Sequence, residues 1–353
     1  MALGSSPKIG LDIGSSAVRA AWVGGGRGGR SLVRFGQVAL PPGAVEGGEI
    51  RDPDVVTEAV SQLWKRSKIK SKSAVVGVAN QRVVVRQIDL PFMEEKELRA
   101  SIKFQVADHI PMAIEDAEVD FQVLDDYMGE DQQHMMRVLL IAAASDMVES
   151  YLSVLTAAGL SPAGVDVTPF AVARAVSQVA RGETGLAGAE AVIDIGAGVT
   201  NILVHHNAEV RFVRILLVGG DDATDSLAEA LDIPFDEAEA IKLDFARGVG
   251  SDEARKVVNH HVDSLVREIQ GSVDYYLSLE DSEPVASVVV TGGGSLTPGL
   301  VEKLEASLGT QVRRSGALGE MNVSKSGLTG EQVAQVEPVS AAAVGLAMGV
   351  SSK

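Results

Sequence analysis

The chain has 353 residues, with 31 basic against 48 acidic side chains and no cysteine. That length accommodates two domains with a core each, and the missing thiols exclude disulfides, thiolate metal sites and cysteine catalysis. A net charge of −17 argues against nucleic acid as a partner, because a duplex binder needs a locally basic face.

Met1 to Gly10 carries one lysine and no apolar block, so no signal peptide is expected. The longest apolar runs, such as Val138–Ala144, are far too short to span a bilayer. The expected location is the cytoplasm, with no direct membrane insertion and any membrane attachment made through a partner.

In chain order, Ile9–Ile13, Ala17–Val23 and Ser31–Leu40 read as strands. The run Gly24-Gly25-Gly26-Arg27-Gly28-Gly29 fits a dinucleotide fingerprint on paper. A fingerprint must open a helix, however, and here strand follows strand, so a hairpin turn is expected. Asp52-Pro53 caps a helix reaching about Lys68. Its end, Lys65 to Lys72, is the one basic cluster, read as a solvated helix end that suits the dipole.

Ala74–Val78 and Arg82–Leu90 read as strands, followed by a helix over Glu94–His109 that Pro111 ends. Strands follow near Glu118–Leu124 and Met135–Ala143, with an acidic loop from Asp125 to His134 between them. Ser145 is expected to cap a helix to Ala158, stopped by Gly159. The stretch of about 82–158 is therefore expected to be a compact inserted unit. Val192–Ile195 and Asn201–His205 read as strands, and Asp221–Leu231, Asp236–Ala246 and Ser251 to Glu280 as helices. Val285–Val290 is an expected strand, Thr297-Pro298 a helix start, Gly316–Glu331 a loose stretch, and Pro338–Val350 a final small-residue helix.

Two short stretches repeat each other half a chain apart. Asp12-Ile13-Gly14-Ser15-Ser16 and Asp194-Ile195-Gly196-Ala197-Gly198 each end an apolar strand with an Asp and a Gly-rich turn. Hairpins of this kind present backbone N–H groups to an anion, and paired carboxylates suit a hydrated Mg²⁺. Asp12 and Asp194 are therefore the candidate Mg²⁺ residues, acting through water. Gly14, Ser15, Ser16 and Arg19 form the first candidate phosphate loop, and Gly196, Ala197, Gly198 and Thr200 the second. Gly292, Gly293, Gly294 and Ser295 lie between an apolar strand and a helix, where a base or ribose can approach the backbone. Glu239 and Lys242 stand at i and i+3 on a predicted helix, positioned to hold ribose or base. Met135, Met136 and the scattered phenylalanines read as core. The adjacent pairs His205-His206 and His260-His261 read as packed or solvated, since neighbours cannot converge on one metal.

The order and spacing of these four elements resemble the actin-like ATPase superfamily, a duplicated α/β fold of ribonuclease H type whose two domains flank a nucleotide cleft. The inserted unit narrows the resemblance to the branch of the division protein FtsA and the pilus assembly protein PilM. Ile88-Asp89-Leu90-Pro91, Ile110-Pro111, Ala157-Ala158-Gly159-Leu160, Val165 through Ala171 and Glu337-Pro338-Val339 look specifically like the PilM family. No FtsA-like C-terminal amphipathic helix is expected in Gly349–Lys353.

The resemblance implies a first domain over 1–185, with an α+β insertion at about 82–158. It also implies a second domain over 186–337 and a terminal helix over 338–353 packing back on the first. It implies ATP and Mg²⁺ as cofactors and a scaffold role in type IV pilus assembly. The implied partner is the cytoplasmic tail of a PilN-like membrane protein, held between the first domain and the insertion at the inner face of the membrane, with other inner-membrane and motor components beyond it. Thr168 stands where hydrolytic relatives place a Glu or Gln, which implies slow or negligible ATP turnover. A filament-forming protein like FtsA or MreB, or a small-molecule kinase of the same fold, remains the alternative.

Overall fold

The computed structural model describes residues 8–26, 29–178, 182, 187–246 and 248–349. Arg27-Gly28 of the glycine run, the expected boundary at 185/186 and Val350–Lys353 lie outside them.

The first half opens with a meander of β1 (Lys8–Ile13), β2 (Ala17–Gly26) and β3 (Gly29–Ala39). Gly26 pairs with Gly29 at the tip of the second hairpin, so the glycine run turns between strands. A two-residue ladder, β4 (Val45–Glu46) and β5 (Glu49–Ile50), leads to α1 (Pro53–Ser67). The Asp52 carboxylate accepts from Val55 N at 3.1 Å, and Lys68 ends the helix in the left-handed region. β6 (Ser73–Val78) then pairs parallel with β1.

The insertion follows. β7 (Val83–Pro91), β8 (Ala117–Met128) and β9 (His134–Ala144) form an antiparallel sheet in the order β7-β9-β8. α2 (Glu95–Val106), extended by a 3₁₀ turn to His109, covers one face through Leu98, Ile102 and Val106. The acidic loop expected over Asp125–His134 is shorter than its composition implied. β8 runs on to Met128, and Asp125 and Asp126 stand opposite Arg137 and Met136. Phe104 is not core: it is 87% exposed on α2. The insertion also reaches the second half, where Gln87 donates to the Val210 carbonyl at 2.6 Å and Arg137 pairs with Asp281 at 3.1 Å.

The chain returns through α3 (Ser145–Ala157), β10 (Ser161–Val167) and α4 (Thr168–Val176). Ser145 is the first helical residue, not the cap, and its hydroxyl is spent on Glu118 at 3.2 Å. β10 completes a sheet in the order β3-β2-β1-β6-β10.

The second half repeats this plan. β11 (Ala189–Ile195), β12 (Thr200–His206) and β13 (Glu209–Leu216) form the meander. α5 (Gly220–Leu231), α6 (Phe235–Ala246) and α7 (Asp252–Leu277) precede β14 (Val285–Thr291). α8 (Leu300–Leu308) and β15 (Val312–Arg314) close a sheet in the order β13-β12-β11-β14-β15. α8 starts after Gly299, because Thr297 ends a 3₁₀ turn and caps nothing. The stretch 316–331 is not loose: Asn322 exchanges backbone hydrogen bonds with Arg30 and Leu32 at the edge of the first sheet, the Lys325 carbonyl accepts from Arg34, the Leu318 and Gly319 amides donate to Glu337, and Ala317 and Leu318 are buried. α9 (Gly330–Val336) starts from its far end with a Thr329/Gln332 capping box.

The final helix, α10 (Ala341–Met348), is preceded by a 3₁₀ turn over Glu337–Val339 and is shorter than expected. α10 and α4 fill the space between the two sheets, meeting Ala21 and Leu32 on one side and Val192 and Val289 on the other. The contact is backbone against backbone. A Cβ on Gly345 would lie 1.7 Å from the Ala171 carbonyl oxygen, and one on Gly10 would lie 2.1 Å from that of Ala343. Among the described residues no helix is long and apolar enough to cross a membrane.

Replacing Gly345 with Ala is expected to lower the unfolding free energy by at least about 1–3 kcal/mol, the usual scale of overpacking. Urea denaturation of G345A beside the parent chain measures it, and an unchanged midpoint would contradict this packing.

Candidate functional site

The duplicated topology sets the first turn of each half at the same place. Asp12 pairs with Arg19 in the β1–β2 ladder, and Asp194 pairs with Asn201 in the β11–β12 ladder. Each hairpin closes in the same way, by Gly14 N to the Ala17 carbonyl at 3.1 Å and Gly196 N to the Val199 carbonyl at 2.9 Å. The two turns meet across a cleft of about 340 Å³. They approach so closely that a Cβ on Gly198 would fall 2.6 Å from Ser15 Oγ, so any side chain there would have to displace the Ser15 hydroxyl.

In the first turn, Arg19 Nη1 lies 3.5 Å from the Asp12 carboxylate and Nη2 3.5 Å from Ser16 Oγ. Burial pushes the Asp12 carboxyl above its ordinary range, and Arg19 offsets part of the rise. In the second turn, Asn201 Nδ2 donates to Asp194 at 3.2 Å. A neutral amide compensates burial poorly, and Asp12 adds repulsion, so Asp194 is pushed up to about 6. Arg19 Nε and Asn201 Oδ1 are both buried without a hydrogen-bond partner. The site thus holds two strained carboxylates, one guanidinium and two unsatisfied polar atoms, which suits a ligand carrying both a cation and anionic oxygens. Among the described residues no three His, Cys, Asp or Glu side chains cluster as a metal cage. A cation here would need water or ligand oxygens for most of its coordination.

The third element divides its glycines between two roles. Gly292 has φ of +85°, and a Cβ there would fall 2.3 Å from the Ile195 carbonyl oxygen and 2.7 Å from Asp194 Oδ1. A Cβ on Gly294 would fall 2.3 Å from Ile195 Cγ2. Those two are required by the second hairpin, while Gly293 has only Val339 nearby, at 3.6 Å. Ser295 turns inward and donates to the Gly292 carbonyl at 2.7 Å. Thr200 also turns away from the cleft, donating to the Val218 carbonyl at 2.7 Å.

Glu239 and Lys242 form an ion pair of 2.6 Å on α6 at the cleft wall. They also grip the first turn of α5. Lys242 Nζ donates to the Gly220 carbonyl at 2.8 Å and to Thr224 Oγ1 at 2.7 Å, and Glu239 accepts from Thr224 Oγ1 at 2.5 Å. The α5 amides of Gly220 and Asp221 donate to the Gly196 and Ala197 carbonyls at 3.0 and 2.8 Å. The second hairpin, α5 and α6 therefore form one hydrogen-bonded unit.

Thr168, the first residue of α4, lines the cleft and is buried. Its Oγ1 would lie 2.6 Å from a Cβ on Gly77, so β6 passes close beneath it. Tyr151 reaches the cleft floor from α3, donates to the Gly48 carbonyl at 2.9 Å, and is held neutral by burial. The far wall is apolar, built from Leu243, Phe245, Leu296 and Val339. Sequence reading missed Asn201, Gly48 and Tyr151. Asn201 was legible, because it follows Asp194 by the same seven residues that separate Arg19 from Asp12; nothing local in the sequence marks the other two.

The histidines serve packing and pairing. His205 is buried 3.1 Å from Glu190, and His206 pairs with Glu283. Burial holds His261 below its ordinary range, whereas His260 is exposed.

The family model described as type IV pilus assembly protein PilM matches residues 10–350. A solved structure described as the PilM-PilN type IV pilus biogenesis complex superposes with a TM-score of 0.84 at 25% identity, covering 98% of each chain. The ethanolamine utilization protein EutJ from Carboxydothermus hydrogenoformans shares the fold, with a TM-score of 0.58 at 18% identity over 98% of this chain and 90% of that one. FtsA of Neisseria meningitidis serogroup B is 27% identical over 88% of this chain and 84% of its own length.

The raised Asp194 carboxyl has a measurable consequence in the ligand-free protein. A group whose pKa is higher folded than unfolded favours folding fully below about pH 4 and loses that contribution as pH rises through about 6. Asp194→Asn removes the loss. The variant is expected to gain on the order of 2 kcal/mol over the parent at pH 7.5, after allowance for solvent screening, and nothing at pH 4. Thermal unfolding from pH 4 to 8 measures the difference, and a gain independent of pH would contradict the assignment.

Proposed function

The chain belongs to the type IV pilus assembly protein PilM family, and from that premise we propose that it is an ATP-binding scaffold of a pilus assembly machine. The observation that carries nucleotide binding is the cleft itself, with two facing backbone hairpins, two strained carboxylates and Arg19. Ser15, Ser16 and Arg19 would hold phosphate oxygens from one side, and Gly196, Ala197 and Gly198 from the other. Asp12 and Asp194 would hold the waters of a Mg²⁺, which supplies charge neutralisation for the phosphates. Ionised Asp194 is costly without a cation nearby, so cation and nucleotide binding should relieve the repulsion between the two carboxylates. Gly293, Leu243, Leu296 and Val339 would face the nucleoside, with the Glu239–Lys242 pair at its edge. Thr200 and Ser295 act one layer back, holding the second and third loops in shape.

Hydrolysis should be slow. Thr168 holds a hydroxyl at the cleft, and a hydroxyl does not accept a water's proton at neutral pH. Tyr151 is locked neutral and already donates its proton to backbone.

On this reading the lobes 1–185 and 186–337 close on nucleotide, with the terminal segment 338–353 wedged against the first. The insertion of about 82–158 would present a PilN-like tail-binding groove, placing the protein at the inner face of the cell membrane through that partner. FtsA-like kinship keeps filament formation as the second reading.

Calorimetry with Mg-ATP is expected to show one saturable site, and Gly198→Val should weaken it at least about 100-fold by filling the space beside Ser15. Steady-state turnover of the parent is expected below about 0.1 s⁻¹, and a rate above about 1 s⁻¹, ordinary for enzymes, would overturn the slow-hydrolysis reading. Titration with a synthetic peptide copying the cytoplasmic tail of the same organism's PilN-like protein tests the scaffold role. The expected result is 1:1 binding lost on mutation of the insertion surface. No binding with or without Mg-ATP, together with nucleotide-dependent light scattering, would move the filament reading to first place.

A further inference from the structure

The acidic residues of this chain are unevenly placed. Segments 13–45 and 59–88 contain no Asp or Glu, in a chain that holds 48 of them. Both segments pass through the same pole of the first sheet. β1 and β6 run parallel toward the cleft, so their starting ends lie about 15–20 Å from it at the usual rise per residue. The 68–72 connection, which leads from α1 into the start of β6, lies at that pole, while Ser67 at the end of α1 packs on Gly36 in the middle of β3.

There Lys65, Arg66, Lys68, Lys70 and Lys72 are all exposed, while the intervening Ser67 and Ile69 are buried. Packing of those two fixes the cations outward. Arg66 is held by Gln62 at 3.1 Å, and none of the four lysines pairs with a carboxylate among the described residues. Beside this ridge, Ser161 N donates to the Lys72 carbonyl at 2.8 Å. The start of edge strand β10, Ser161-Pro162-Ala163 with Val165, is uncharged and exposed.

We propose that this pole is a docking surface for an anionic phospholipid bilayer. A ridge of exposed ammonium groups beside an uncharged strand edge matches a negatively charged plane, whose headgroups attract lysines without demanding fixed geometry. A peptide partner would need a groove, and the cleft and the smaller hollow near Glu49 and Arg82 lie toward the other pole. Single-stranded nucleic acid would need aromatic platforms, and the exposed aromatic side chains Phe92, Phe104 and Tyr275 all lie outside these segments. The remaining negative charge of the molecule would orient it, because only this pole is attracted to the surface. Docking there turns the cleft and the insertion away from the lipid.

Flotation of the full chain with vesicles tests this without any partner tail, so the outcome is independent of the scaffold reading. Vesicles of about 30% phosphatidylglycerol in phosphatidylethanolamine are compared with vesicles of neutral phosphatidylcholine at about 0.05 M salt, where charges are weakly screened. The expected result is recovery with the anionic vesicles only, falling at least about tenfold at 0.3 M salt as screening shortens. Lys68→Gln/Lys70→Gln should reduce recovery at least about fivefold. The charge-matched Lys96→Gln/Lys256→Gln, with both sites exposed elsewhere, should leave it unchanged, with equal thermal midpoints confirming that both variants fold. Equal recovery with neutral vesicles, equal effects of the two variants, no recovery at all, or tighter retention by duplex DNA at the same charge concentration would each overturn the proposal.

Discussion

The close approach of two backbone turns is the constraint on which this molecule depends. Each turn ends the central strand of its sheet, and each central strand is placed by the same antiparallel meander and parallel crossover. With Gly198 set against Ser15, only the Ser15 side chain stands between the turns there. What faces the cleft between them is amide, hydroxyl and carboxylate, delivered by strands whose neighbours Leu11, Ile13, Ile193 and Ile195 are buried in separate cores. Rigidity of the strands is what permits so polar a junction, because a looser scaffold would let the carboxylates move apart and hydrate.

Between the sheets, the small residues of α10 allow a second close approach. Gly10, Ala343, Gly345 and Ala171 let backbone meet backbone, so the two sheets share the layer formed by α4 and α10. α4 begins at Thr168 in the cleft and ends in this layer. A change in the separation of the sheets must therefore pass through the helix that carries the residue nearest to a hydrolytic role. That coupling is a geometric property of the fold and holds whichever ligand occupies the cleft.

The duplicated Asp-Gly turns were legible in the sequence because strand, turn and strand are all local, and each is announced by its own residues. The strands and α2 of the insertion were legible for the same reason, through the prolines around α2, but its end was not: α3, expected inside a unit of about 82–158, packs through Met147, Val148 and Leu155 into the core of the first sheet. β13 was not: Glu209–Leu216 is half-buried along most of its length and shows no clean alternation. Phe104 misled because aromatic residues are usually buried, and α2 happens to turn it outward. The glycines of the third loop were read as room for a base or ribose, and their packing role was not readable. Gly292 and Gly294 meet Ile195, about 100 residues earlier, and only tertiary structure reveals that. The inward turns of Thr200 and Ser295 belong to the same class, since their partners are carbonyls chosen by the fold.

Asp12 and Asp194 sit at equivalent positions, yet the chain answers them differently. Arg19 lies opposite the first and the amide Asn201 opposite the second. A second arginine would neutralise the site internally and leave nothing for a cation to do. A second amide beside Asp12 would leave two carboxylates with no fixed positive charge, repelling any anionic ligand. One guanidinium against two carboxylates at the hairpins, with Asp221 a further carboxylate lining the same cleft, leaves an excess of negative charge that disfavours bare anionic oxygens. On the proposed nucleotide-binding reading, a preference for a metal-complexed anion over a bare one would follow from this single asymmetry between two otherwise matching hairpins.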